Sequence, residues 1–171
     1  MIKNLLSHPV FVPMGLFFTG IGALGSAFIA QYVFGLAPCP LCIWQRWPYA
    51  AIVILGLIGI VMGIKNKPKG SAAVVALASL AFLVGGIIAF YHVGVEQHWW
   101  KSMLEGCAAN FSGSAADLLK QIESTVAARC DQIPWSLFGI SMAGYNAIIS
   151  LIAAPITLVC ALLITRRANG L

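Results

Sequence analysis

The stretch Ala37-Pro-Cys-Pro-Leu-Cys-Ile-Trp-Gln-Arg-Trp47 sets Cys39 and Cys42 in a C-x-x-C pair, with Arg46 four residues past the second cysteine. Such a pair closes only a small, strained ring, the kind of disulfide that is labile or catalytic rather than structural. Pro40 suits the first turn of a helix, where its missing N–H costs nothing, so Cys39 is the expected N-cap and Cys42 the third helical residue. Unpaired backbone N–H groups and the positive end of the helix dipole then lie close to Cys42. Arg46 follows one turn on, on the same face. Surroundings of this kind favour thiolate over thiol and can lower a cysteine pKa from about 8.5 by one to several units. A snorkelling arginine would explain a charge at a helix end, but not its register with Cys42. Pro48 predicts a kink, either an ordinary transmembrane one or one that opens space for a ligand beside Cys42.

Three further cysteines complete the set of five. Cys107 and Cys130 are 23 residues apart, a spacing that suits a static staple as well as an exchanging pair. Zinc could recruit His92 and His98 beside the cysteines, but the gaps fit no compact zinc module. Haem would need axial histidines facing each other from different helices, and only His92 lies near a helix interior. No metal is expected. Cys160 reads as a small buried hydrophobe. His92, with Glu96 one turn on, is either a plain interfacial residue or a group that helps bind a polar headgroup or ligand oxygen.

The elements that must carry these residues follow from hydropathy. The 171 residues are 60% hydrophobic and 9% charged, with mean hydropathy +0.92. A soluble domain usually carries about 25% charged residues, so this chain lacks the polar surface to cover itself in water. Four stretches reach the roughly 20 apolar residues that cross a bilayer, Val10–Phe34, Ile43–Ile64, Ser71–Tyr91 and Ile140–Ile164. Arg46 is the only charged residue in any of them. The first exceeds the roughly 7–15 apolar residues of a signal peptide and is kept as a helix. The expected architecture is an all-α integral membrane protein, a four-helix transmembrane bundle in one domain, residues 1–171.

Basic residues give the orientation. Lys3, Lys65, Lys67, Lys69, Arg166 and Arg167 mark the cytoplasmic side, which places both termini inside. All five acidic residues fall in the long outer loop, about 93–139. Cys39, Cys42, Cys107 and Cys130 thereby share the outer, disulfide-permissive face, and Cys160 lies across the membrane from them. Within the outer loop, Ser114–Asp117 resembles a capping box, and Ala115, Leu118, Leu119, Ile122 and Val126 recur at helical spacing. A short amphipathic helix is expected there, preceded by a flexible "FSGSA" hinge. Trp99, Trp100 and Trp135 read as interfacial anchors. The net charge of +5 is topology signal; no basic stripe for nucleic acid exists.

Taken together, these motifs resemble the disulfide bond formation protein B (DsbB) family. The resemblance rests on Cys39-x-Leu41-Cys42-x-x-x-Arg46 opening the second of four helices, His92 at the outer end of the third, Cys107, and "CDQIPWSLFGIS" from Cys130. Pro40 and Gln45 occupy positions that vary in the family. The resemblance implies an inner-membrane, quinone-dependent oxidoreductase that reoxidises a periplasmic thioredoxin-fold dithiol protein (DsbA-like). Its cofactor would be ubiquinone or menaquinone. It also implies that the partner thiolate attacks Cys107 and releases Cys130. Cys130 then attacks Cys39 and frees Cys42, which meets the quinone with help from Arg46 and His92. Two other readings compete. One is an enzyme like vitamin K epoxide reductase, which carries its C-x-x-C on the last helix. The other is a non-catalytic membrane scaffold with stapled outer loops.

Overall fold

Backbone N–H and C=O groups inside a bilayer find no water, so continuous apolar runs satisfy them as helices. The computed structural model describes residues 2–104, 107 and 128–170. The expected amphipathic helix and its hinge lie outside the described residues. A short α1 (Ile2–Leu6) precedes α2 (Phe11–Tyr32), α3 (Pro40–Trp44), α4 (Arg46–Ile64) and α5 (Pro68–Glu96). A two-stranded antiparallel hairpin, β1 (Ser136–Leu137) and β2 (Ile140–Ser141), leads into α6 (Met142–Ala168). Among the described residues, four helical spans are long and apolar enough to cross a membrane, with α3 and α4 forming one of them. The protein is an all-α integral membrane protein built on a four-helix bundle.

Local chemistry sets the outer ends of these spans. A proline has no N–H for the carbonyl four residues back, and its ring clashes with that carbonyl. Pro48 therefore ends one helix at Trp44 and lets the next begin at Arg46, with Gln45 as the single joint. The expected kink is a break at Gln45. Helix α5 continues to Glu96, past the expected end at Tyr91, because His92 and Glu96 are buried and hydrogen-bonded rather than facing headgroups. Helix α6 starts after a tight turn, Phe138–Gly139, where both residues have positive φ (51° and 78°). Ser141 caps it, its Oγ accepting from the Gly144 N–H at 3.0 Å.

Packing runs α2 on α4, α4 on α5, and most extensively α5 on α6, while α2 and α6 stay apart. Large apolar side chains such as Phe18, Ile54, Leu80, Ile87 and Ile156 point outward. In lipid that surface needs no polar cover. Helix association in lipid relies instead on close backbone approach at small residues. A Cβ on Gly56 would lie 2.8 Å from the Phe17 backbone nitrogen and 2.9 Å from its Cα. Gly56→Ala should therefore push α2 off α4 and destabilise the protein by about 1–3 kcal/mol. Thermal unfolding in detergent measures this, and an unchanged midpoint would contradict the contact. Ile52, Val75, Phe82 and Ile164 fill the space between the helices, with Cys160 among them. Ser79 Oγ ties α5 to the Ala154 carbonyl of α6 at 2.7 Å.

Candidate active site

Cys39 is the N-cap of α3 and Pro40 its first residue, as the spacing predicts. The cap geometry turns the Cys39 side chain back over the first turn, so the Cys42 N–H donates to Cys39 Sγ at 3.2 Å. That N–H thus serves Cys39, and Cys42 receives a different donor. The Cys39 thiol donates to Cys42 Sγ, the two sulfurs lying 2.7 Å apart with no bond between them. This hydrogen bond and burial both push the Cys39 pKa up, so Cys39 keeps its proton.

Cys107 and Cys130 form a disulfide, and both are wholly buried. They pack in one cluster with Cys39, Leu41 and Val95. Cys39 Sγ, Cys130 Sγ and a ring nitrogen of His92 lie within 4.8 Å of one another. A structural zinc takes four such ligands. Here Cys130 Sγ is already bonded to Cys107, which leaves the trio two free donors. Beside Cys130, the Arg129 guanidinium grips both carboxylate oxygens of Asp131, at 2.9 and 2.6 Å, and holds that carboxyl below its usual range. Two cysteine pairs far apart in sequence thus meet, sulfur against sulfur. Cys160 sits in the helix core, away from this cluster.

His92 is a buried member of the site, only 3% exposed. Its Nε2 lies 3.6 Å from Cys39 Sγ and 3.8 Å from Glu96 Oε1, and its Nδ1 lies 2.7 Å from Gln45 Nε2. The Ser141 hydroxyl in turn donates to Glu96 Oε2.

The gap between α2 and α6 encloses a cavity of about 540 Å³. Ala23, Ala27 and Ala30 wall one side, Ala143 and Ile149 the other. Cys42, Gln45, Arg46, His92 and Asn146 supply the polar groups. Pockets of about 300–1,000 Å³ with apolar walls and a few convergent polar groups suit small organic ligands. Arg46 reaches across to α2, where Nη1 donates to Gln31 Oε1 at 2.8 Å and the guanidinium lies 5.2 Å from the Phe28 ring centroid. These two contacts hold its charge beside the cavity.

The sequence model of the family described as "Disulfide bond formation protein DsbB" matches residues 10–160. The chain belongs to the DsbB family. Among curated relatives, "Disulfide bond formation protein B" of Aromatoleum aromaticum is 29% identical over 160 residues, covering 92% of both chains. The protein of the same description from Xanthomonas campestris pv. campestris is 33% identical over 128 residues, covering 71% of this chain and 72% of that one. "Uncharacterized protein RP370" of Rickettsia prowazekii is 28% identical over 136 residues, covering 75% and 74%. No solved structure matches this chain. As a DsbB family member it is a multi-pass membrane protein of disulfide bond formation.

Around the DsbB-family cysteines the structure adds residues that motif reading passes over. Gln45, Asn146, Tyr49 and Ser150 form a buried hydrogen-bonded chain from His92. Gln31 holds Arg46, and Ser141 holds Glu96. One signal was present: polar side chains within membrane spans face the bundle interior or a cavity. Gln31, Gln45 and Asn146 are such residues.

Proposed function

We propose that this protein carries two electrons from a periplasmic thioredoxin-fold dithiol protein, DsbA-like, to a membrane quinone, ubiquinone or menaquinone. The observation that carries this reading is the approach of Cys130 Sγ to Cys39 Sγ, within 4.8 Å, beside the cavity that Cys42 lines. In this relay a partner thiolate attacks Cys107 Sγ, and Cys130 leaves as thiolate. Cys130 then attacks Cys39 of the joined Cys39–Cys42 pair, and Cys42 leaves as thiolate facing the cavity. Attack of the partner's second thiol on the Cys107 mixed disulfide releases it oxidised. The freed Cys107 thiolate then attacks Cys130 of the Cys39–Cys130 disulfide, restoring Cys107–Cys130 and leaving Cys39 and Cys42 reduced for the quinone. The cavity fits a quinone head, with apolar walls for the ring, a donor from Arg46 for its oxygens and His92 in its lining. A quinone bound there supplies a two-electron, two-proton acceptor. Arg46 places a permanent positive charge where negative charge gathers, in surroundings that screen it poorly.

The deciding experiment uses the purified protein in lipid with a reduced thioredoxin-fold dithiol and a ubiquinone. Quinone absorbance should fall in step with disulfide formation in the partner. A non-catalytic scaffold would leave both unchanged. The C-x-x-C opens the second span, which disfavours the vitamin K epoxide reductase-like reading.

The proposed orientation has both termini in the cytoplasm and the active cysteines on the periplasmic side of the bacterial inner membrane. In sealed cells, a cysteine at Lys67 should escape a membrane-impermeant maleimide. One at Met103, which is 92% exposed, should react. The opposite pattern would invert the topology.

A further inference from the structure

Gln45 presents an amide NH2 to one side and a carbonyl oxygen to the other, and its neighbours fix which is which. Gln45 Nε2 lies 3.3 Å from the Leu41 carbonyl oxygen, an acceptor that only an N–H can meet. On the far side, Asn146 Nδ2 donates to Gln45 Oε1 at 2.6 Å. Asn146 Oδ1 in turn accepts from the Tyr49 hydroxyl at 2.6 Å and the Ser150 hydroxyl at 2.9 Å. Turning both amides over would set Gln45 Oε1 against the Leu41 oxygen, two acceptors with no proton between them.

The second Gln45 N–H therefore points at His92 Nδ1, 2.7 Å away. An amide NH2 donates and does not accept, so Nδ1 is the bare nitrogen and the ring proton sits on Nε2. That N–H faces Cys39 Sγ at 3.6 Å, with Glu96 Oε1 at 3.8 Å and the Cys130 backbone carbonyl as the other acceptors in reach. Ser141 already occupies the other Glu96 oxygen.

We infer that Gln45 is a positioning residue that locks His92 in its Nε2–H tautomer, keeping a hydrogen-bond donor at the Cys39 sulfur. Asn146, Tyr49 and Ser150 hold Gln45 in that orientation. A donor there steadies the charge that passes to Cys39 as its disulfide with Cys130 opens, whereas the opposite tautomer would present a nitrogen lone pair and repel it. The functional consequence rests on the proposed relay; the tautomer does not.

The test is ¹⁵N NMR of the full-length protein in detergent with labelled histidine, the His92 signals assigned by replacing His8 and His98. Wild type should show Nδ1 bare and Nε2 protonated. Gln45→Met should give a mixture of tautomers. Gln45→Glu should place a proton on Nδ1, because a carboxylate accepts. Asn146→Leu, which touches neither sulfur nor ring, should loosen the lock through Gln45. A mixture keeps the donor part of the time, so reoxidation of the Cys39–Cys42 pair by ubiquinone should slow about twofold in Gln45→Met. In Gln45→Glu, with the donor lost, it should slow at least about tenfold, a hydrogen bond to a charged group contributing about 1.5–3 kcal/mol. Thiol exchange at Cys107 should hold its rate. A bare Nε2 in wild type, or His92 signals unchanged in Gln45→Met, would overturn the lock. Absence of quinone turnover in wild type with the tautomer as assigned would overturn the relay and leave the lock standing.

Discussion

Replacing Cys130 with serine should stop turnover, because Cys107 then carries no disulfide for a partner thiolate to open. The resolving sulfur is gone, and a hydroxyl cannot carry the disulfide onward to Cys39. In the wild type Cys130 Sγ lies within 4.8 Å of Cys39 Sγ. The second exchange therefore needs little motion once the Cys107–Cys130 bond opens. Quinone reduction should fall to background in the variant. With the partner supplied oxidised, the free Cys107 thiolate should open the partner's disulfide and give a band at the summed mass on a non-reducing gel. The Cys107→Ser variant should give no such band. If Cys107→Ser oxidised the partner at the wild-type rate, Cys107 would have no part in the exchange.

The second large effect is expected at Arg46. Arg46→Met keeps the reach of the side chain and removes its charge from the cavity that Cys42 lines. Hydrogen bonds to charged groups contribute about 1.5–3 kcal/mol, so the quinone half-reaction should slow roughly tenfold to a hundredfold. Exchange at Cys107 should continue at its normal rate. Arg46→Lys keeps the charge but loses the planar fork that reaches Gln31, and should lie between the two. Gln31→Leu frees the guanidinium without removing it, so its loss should be smaller than that of Arg46→Met. Equal quinone turnover in wild type and Arg46→Met, at matched expression, would reduce Arg46 to a membrane anchor.

The four spans and the Cys39 cap were legible because each depends on local chemistry. Apolar length specifies a span, and Pro40 after Cys39 specifies a cap. Which face of each helix looks inward was not legible, since these helices are apolar all round and periodicity carries little signal. The close approaches at Gly56 and Phe17 depend on a partner helix distant in sequence. For the same reason the sequence left open whether His92 is a plain interfacial residue or a group that helps bind a ligand. Its burial follows from Gln45, Cys39 and Glu96 meeting around it, and only Glu96 lies nearby on its own helix. The hydrogen bond from Cys39 to Cys42 was likewise unreadable from spacing, which predicts proximity but not which sulfur donates.

Burial of the sulfurs has a consequence for selectivity. Cys39 is 3% exposed, and Cys107 and Cys130 are 0% exposed. A conduit joining a pool of soluble reductant to an oxidant in the membrane is short-circuited by any stray thiol that can touch it. Reaction between a thiolate and a disulfide requires access to the sulfur under attack. Free cysteine, small peptides and unfolded chains meet none of these three sulfurs at the surface, so none of them can open the Cys107–Cys130 disulfide by collision alone. Only a protein that displaces the cover as it docks gains entry. Insulation thus comes from packing, and the choice of electron donor becomes a matter of shape.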